Sequence, residues 1–347
     1  MNYQKRLQKL QSELLNKNCD ILIIEDVTNI YYMTGLELST GKLLVDSEKA
    51  YLFVDSRYYE NCQKHCPFSV ILLEGEALQK WFSERISLSS VGFDSTTTSY
   101  NQFLEWKRQL QKVRKQHGAL KALKLVALQS PLRPLRIIKD EEEINLLKRA
   151  ANLGSEGFDF LSNCLSAGVA ENELALQLEL FWKQKGAKGL AFDPIIAFGA
   201  NGSMPHYRPG GTRLKKGDGV LLDIGVNVQH YHSDMTRVLF FGKPSKKLEE
   251  IYLIVREAQK AALKLCVPGT QIKELDKAAR SYIEKKGYGK YFTHNLGHGV
   301  GLEIHEAPTI SQKSPDKSLK LHDGMVITIE PGIYLPDIGG VRLEDTV

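Results

Sequence analysis

Gly219-Val-Leu-Leu-Asp-Ile-Gly225, continued by His232-Ser-Asp-Met-Thr-Arg237, decides the reading of this chain. An apolar run ends on a carboxylate, Asp223, and a second carboxylate follows at Asp234. An acid at the end of a buried strand is costly unless a cation compensates it. The arrangement returns near the end of the sequence. Gly324-Met-Val-Ile-Thr-Ile-Glu330-Pro-Gly332 is again apolar strand, acid and turn glycine, and Gly339-Gly-Val-Arg-Leu-Glu344 brings in a fourth acid. Both runs open on Asp-Gly, at Asp218-Gly219 and Asp323-Gly324. The pattern predicts one motif used twice, two hairpins that each present two carboxylates. Between them lies His294-Asn-Leu-Gly-His298-Gly-Val-Gly-Leu-Glu-Ile-His305. Four acids and a histidine converging on one point describe a metal site.

Outward from this centre, elements repeat. Pro131-Leu-Arg-Pro134 resists helix and marks a boundary, giving domains at 1–131 and 132–347. Asp140-Glu-Glu-Glu143 then caps a long helix with acids at its positive end. A second helix follows Glu171, a strand spans Ala191–Phe198, and a polar loop, Gly199-Ala-Asn-Gly-Ser-Met-Pro-His206, leads into the first acidic hairpin. Helices near 246–266 and 270–286 lead to the histidine strand and the second hairpin. Helix, helix, strand, hairpin occurs twice, which predicts an internal duplication with the metal at its pseudo-two-fold centre. The first half alternates. Helices near 3–17, 57–65, 75–86 and 99–115 interleave with strands at 20–25, 42–46, 50–55, 69–73, 90–94 and 123–128, as in an α/β domain with a mixed sheet. It carries no Gly-x-Gly-x-x-Gly and no phosphate loop.

The totals bound the function. The 347 residues, 42% hydrophobic and 25% charged, suffice for two domains with cores. A net charge of +5 is mild, and its densest lysine group, Lys107 to Lys124, reads as a solvated helical face; no nucleic-acid partner is expected. No apolar run approaches a membrane span, and the charged N-terminus lacks the apolar stretch of a signal peptide, so a cytoplasmic protein is expected. Five cysteines without framework spacing read as reduced thiols. Cys62-Gln-Lys-His-Cys66 lacks a second ligand pair and reads as structural.

Four carboxylates brought together repel, and two divalent ions remove that penalty. Oxygen-rich ligation with one imidazole suits Mn2+, Fe2+, Co2+ or Zn2+ better than a closed structural zinc site. Two metals about 3.5–4 Å apart can share a water and lower its pKa, which is hydrolysis chemistry. His294-x-x-x-His298 resembles a helical zinc pair only in spacing, because Gly297, Gly299 and Gly301 oppose a helix there. Arg237 and Arg342, close to Asp234 and Glu344, fit either structural ion pairs or groups that orient ligands.

Asp223-Ile-Gly, Ser233-Asp-Met-Thr-Arg237, Gly297-His-Gly-Val-Gly301, Ile304-His-Glu306, Glu330-Pro-Gly332 and Gly340-Val-Arg-Leu-Glu-Asp345 resemble the pita-bread metallopeptidases, more narrowly the Xaa-Pro aminopeptidase (aminopeptidase P) and prolidase branch. Thr28-Asn-Ile-Tyr-Tyr-Met-Thr-Gly35 and Asp55-Ser-Arg-Tyr-Tyr59 are similar to that branch's creatinase-type N-terminal domain. The resemblance implies an α/β N-terminal domain plus an α+β pita-bread catalytic domain. It also implies roles. Asp223 would chelate one metal, Asp234 and Glu344 would bridge both, and His298 and Glu330 would complete the other site, with Glu330 as proton acceptor. His206, His294 and His305 match the family's substrate-binding and intermediate-stabilising histidines. Two divalent ions, Mn2+ the usual activator, and a homodimer acting on proline-containing peptides are implied. Prolidases of this architecture often place an arginine just after His-Glu-x-Pro; here His305-Glu-Ala-Pro308 is followed by Thr309. The missing carboxylate clamp favours an Xaa-Pro aminopeptidase over the alternative, an Xaa-Pro dipeptidase. Relatives of the fold that lost their metals leave a binding module as a third reading. The sequence reaches Val347 three residues after Glu344, where the family normally continues a strand, so either it is a shortened form or the second hairpin is poorly anchored, which would weaken Glu344 as a ligand.

Overall fold

In the computed structural model, which describes residues 1–17, 19–85, 87–117 and 123–347, the chain divides into two units, Met1–Arg136 and Ile137–Val347. Residue 86, at the end of an expected helix, and residues 118–122, within the lysine-rich group, lie outside the described residues.

The first unit holds α1 (Tyr3–Asn16), β1 (Ile21–Ile24), α2 (Val27–Thr34), β2 (Lys42–Asp46), β3 (Ala50–Val54), α3 (Ser56–His65), β4 (Ser69–Leu72), α4 (Ala77–Ser83), β5 (Ser90–Asp94), α5 (Tyr100–His117), β6 (Lys124–Leu128) and α6 (Arg133–Arg136). Its six strands form one mixed sheet in the order β4-β3-β2-β1-β5-β6. The β1–β2 and β2–β3 pairs are antiparallel, and the other three are parallel. β1 is apolar at every position and buried at every position, as expected of a strand covered on both faces. Trp81, Phe82 and Trp106 fill the core beside it with edge-on ring contacts. Helix α2 went unread in the sequence. Asp26 caps it by accepting from Asn29 N, and Gly35 ends it at φ 73°. The unit runs past the Pro131–Pro134 stretch because α6 belongs to it: the Tyr32 hydroxyl donates to Leu135 O at 3.2 Å.

The second unit opens with α7 (Glu141–Cys164) and α8 (Glu171–Gln184), then β7 (Gly189–Leu190), β8 (Ile195–Phe198), β9 (Gly219–Ile224), β10 (Val226–Val228), β11 (Tyr231–His232) and β12 (Met235–Phe240). After α9 (Lys246–Leu263) and α10 (Ile272–Lys285) come β13 (Gly297–Gly299), β14 (Glu306–Ile310), β15 (Thr328–Ile329), β16 (Gly332–Leu335), β17 (Gly339–Arg342) and β18 (Asp345–Thr346). Two helices followed by short strands thus occur twice. Asp140 caps α7 in a full capping box with Glu143. The strand expected over 191–198 is shorter, because Pro194 cannot donate to a ladder and β8 starts at Ile195. One apolar cluster packs α9 and α10 against β8, β9 and the late strands, and a second packs α7 and α8 against the other side of β9.

Candidate metal centre and peptide cavity

The ladder explains why Asp223 and Asp234 meet. β9 and β12 are antiparallel, with Asp223 opposite Thr236 and Ile224 opposite Met235. Opposed residues share a face, and so do residues two apart on one strand. Asp234, two before Thr236, therefore lies diagonal to Asp223 on the same face. The second hairpin differs from expectation in one respect. It is interrupted at Glu330-Pro331, where proline removes a donor, so it appears as two ladders, β15–β18 and β16–β17. Both keep one register, Ile329 opposite Asp345 and Gly332 opposite Arg342, and the step between them sets Glu330 against Glu344. The two hairpins are stitched together: Glu344 N donates to Thr236 O at 3.1 Å, the Thr236 hydroxyl to Glu344 Oε2 at 2.7 Å, and the Thr346 hydroxyl to Asp234 O at 2.9 Å. Glu344 is anchored rather than loose. It is 2% exposed, and Ile327 and Val347 exchange two backbone bonds beyond it.

His298 enters from β13, which pairs with β14 and shifts register between His298 and Gly299. Such a bulge re-aims a side chain. Its strand lies against β15 so closely that a Cβ on Gly297 would sit 1.9 Å from Thr328 O. Ligand atoms of Asp234, His298 and Glu344 lie within 4.8 Å of one another. His298 Nε2 is 3.5 Å from Asp234 Oδ2 and 3.5 Å from Glu330 Oε1. Asp223 is held by Arg342, whose guanidinium also donates to the Tyr334 hydroxyl at 2.8 Å. Among the described residues, buried Asp223 Oδ1 and Glu344 Oε1 find no hydrogen-bond partner. Two orphaned carboxylate oxygens in a buried cluster of acids are what a divalent cation satisfies, so these residues fit a metal.

The electrostatics agree. Burial, then the neighbouring Glu344 charge, pushes Asp234 and Glu330 well above the usual carboxylate range. Burial and Asp223 push Glu344 up to about 8. Burial lowers His298 to about 4, and burial with the Arg342 charge lowers His294 to about 4. Neutral imidazole is the ligand form. Above these residues opens a cavity of about 480 Å³, whose lining includes His206, Asp223, Asp234, His294, His298, His305, Glu330, Arg342 and Glu344; Arg237 lies off the lining, where its guanidinium donates to Glu344 O and pairs with Asp345. His294 Nε2 lies 2.8 Å from the Tyr334 hydroxyl, and the His298 and His305 rings meet edge-on at 4.3 Å.

The sequence matches metallopeptidase family M24 over residues 145–347 and the creatinase/prolidase N-terminal domain over residues 6–138. It is 38% identical over 337 residues to an Xaa-Pro dipeptidase of Pyrococcus horikoshii, spanning 96% of this chain and 92% of that protein. The chain is a member of metallopeptidase family M24. Its structure is similar to that of the prolidase of Pyrococcus furiosus (TM-score 0.86, 36% identity, 97% of this chain and 95% of that one). It is also similar to that of the X-Pro aminopeptidase of Thermotoga maritima (TM-score 0.83, 30% identity, 97% and 94%). The chain is therefore a metallopeptidase with a creatinase-type N-terminal domain and a pita-bread catalytic domain, and the binding-module reading gives way.

Several residues of the M24 unit escaped the sequence reading. Glu171, fully buried at the start of α8, accepts from Phe198 N, Asn201 Nδ2, the Tyr207 hydroxyl and Gly210 N, and so fixes the loop that carries His206. Asp276, buried on α10, holds Arg280, which donates to Phe292 O and His294 O and sets the entry to the histidine strand. Glu171 acts across a long stretch of chain, where spacing carries no signal, whereas Asp276 and Arg280 have the i, i+4 spacing of a helical ion pair and only the bonds from Arg280 to Phe292 O and His294 O are hidden from the sequence. Thr236 and Thr328 stand beside acids already singled out, and a buried hydroxyl next to a proposed ligand was the available clue.

Proposed function

We propose that the protein is a metal-dependent Xaa-Pro dipeptidase, cleaving the bond between an amino-terminal residue and a carboxy-terminal proline. The observation that carries the reading is the set of four convergent carboxylates, two with orphaned oxygens, beside His298 at the floor of a peptide-sized cavity. The choice of dipeptides follows the full-length relatives, whose names are dipeptidase and prolidase. It departs from the preference for longer peptides that Thr309 suggested.

Asp223, Asp234, His298, Glu330 and Glu344 would hold two divalent ions, Mn2+ first among Mn2+, Co2+, Fe2+ and Zn2+. Bound there, the ions would supply a hydroxide nucleophile near neutral pH and positive charge for the carbonyl oxygen. Glu330, at the floor of the cavity and 3.5 Å from His298 Nε2, would accept the proton at its carboxylate and return it to the departing proline nitrogen. His206 and His305 line the wall as donors to the scissile carbonyl and its neighbours, and His294 stands beside them with its ring fixed by Asn295 O at Nδ1 and the Tyr334 hydroxyl at Nε2, so it would meet substrate only by exchanging one of these partners. A homodimer and a cytoplasmic location complete the proposal; the five cysteines are free, as the second requires.

One observation favours the Xaa-Pro aminopeptidase as a second reading: Thr309, where a clamping arginine would stand, lines the cavity. Chelator-stripped protein assayed on Ala-Pro and Ala-Pro-Ala, with and without Mn2+, separates the two. Metal-dependent release of alanine from the dipeptide is expected. Preference for the tripeptide returns the aminopeptidase. Asp234→Ala and His298→Ala are each expected to lower turnover by at least about 1,000-fold, with circular dichroism showing the fold retained. Unchanged turnover in either would remove that residue from the site.

A further inference from the structure

A dipeptide presents a carboxylate immediately after proline, and a site selective for it needs a cation that the carboxylate can reach. Among the described residues lining the cavity, the permanent cations are Arg208 and Arg342. Arg342 is committed. It is 3% exposed, and its guanidinium nitrogens go to Thr236 Oγ1, Pro205 O, the Tyr334 hydroxyl and Asp223 Oδ2. Recruiting it would strip Asp223 of its partner. Arg208 differs in each respect. Its side chain is 69% exposed, and its ion-pair partner is Asp193 at 2.8 Å, itself 74% exposed and on the same cavity wall. Such a solvated pair costs little to exchange for another carboxylate.

The backbone of Arg208 is nevertheless fixed. The residue before it and the residue two after it are tied to one buried atom, since the Tyr207 hydroxyl and Gly210 N donate to Glu171 Oε2 at 2.8 and 3.1 Å. Two residues before it stands His206, on the same lining. An exposed forked donor on a backbone hydrogen-bonded on both sides, two residues from a cavity-lining histidine, suits recognition of a planar anion.

We propose that Arg208 is the specificity-determining residue that takes the terminal carboxylate of the substrate, with Asp193 as the internal carboxylate it releases. This supplies from the His206 loop the charge absent at Thr309, and it rests on the dipeptidase reading above. Asp193 then acts as a competitor for Arg208, so the two substitutions have opposite signs.

The test compares kcat/KM for Ala-Pro with that for Ala-Pro-amide, which lacks the carboxylate, in Mn2+-loaded wild type, Arg208→Gln, Arg208→Lys and Asp193→Asn. In Arg208→Gln the acid-over-amide ratio is expected to fall about 10- to 100-fold, through KM. Arg208→Lys restores part of it, keeping the charge and losing the fork. In Asp193→Asn the ratio rises. A ratio that stays at the wild-type value in both Arg208→Gln and Asp193→Asn overturns the assignment while leaving the dipeptidase reading intact. A wild type that cleaves no Ala-Pro removes the dipeptidase reading, and the assignment with it. Should Arg208→Gln fail to fold, the sign of the Asp193→Asn effect decides alone.

Discussion

Thr236 sits opposite Asp223 in the β9–β12 ladder and gives its hydroxyl hydrogen to Glu344 Oε2, leaving Oε1 free to face a cation. Groups that orient a ligand in this way commonly contribute about 10–100-fold to metal affinity. Thr236→Val keeps the shape and removes the donor, so Mn2+ affinity, read by competition with a chelator, should fall by about that factor. An unchanged affinity would mean that the backbone alone aims Glu344. Cysteine chemistry gives a second check. Burial pushes the Cys66 thiol up to about 11, so alkylation at pH 8 should be at least about 100-fold slower in the folded protein than in urea. Labelling at the unfolded rate would show the thiol to be open. At this scale the acids were readable, because a charge at the end of an apolar run is anomalous by itself. Glu171 and Tyr334 were not, since each is an ordinary residue until the chain brings distant partners to it.

Elements were legible where pattern and geometry coincide. The Asp140 cap, the hairpin from Lys42 to Val54 and the mixed sheet follow from capping chemistry and period-two alternation. Helix α2 was missed because its eight residues include β-branched and aromatic side chains that carry no helical signal of their own. The pattern predicts a second acidic hairpin, and Pro331 divides it into two ladders while the register survives. The loop of His206 was legible only as polar. Its fixed form comes from Glu171, and Glu171→Ala would strand Phe198 N and Gly210 N without their acceptor. We expect a loss of roughly 2–4 kcal/mol in urea unfolding, together with a raised KM. A loss confined to KM would make Glu171 a local organiser with no share in the core.

For the molecule as a whole, metal and proton compete. With metal removed, Glu344 binds its proton more tightly when folded, at about 8 against an ordinary 4.5. A raised folded value gives stability that is complete below about 4.5 and is lost as pH rises through about 8. His294 and His298, lowered to about 4 from 6.5, act in the other sense, and their share disappears as pH falls below 6.5. Chelated protein should therefore lose Tm from pH 6.5 to 8.5. Saturating Mn2+ should flatten that fall, since cations take the place of the protons. Thermal scans with chelator and with Mn2+ across this range test it; parallel curves would show that the acids are not the source. The two units and the catalytic class were visible in the sequence, whereas substrate length was not. On the Arg208 proposal it turns on which arginine can be released to a substrate carboxylate, and that depends on what Arg342 and Arg208 touch.

The bond from Thr236 to Glu344 joins residues 108 positions apart. At roughly 5–20 residues per second, ribosomes need about 5–20 s to add that stretch. Throughout that interval the nascent chain contains Asp223 and Asp234 but not Glu344. A chain stalled just after β12 carries two of the five proposed ligands, so the proposed metal set is complete only when the second hairpin has been added.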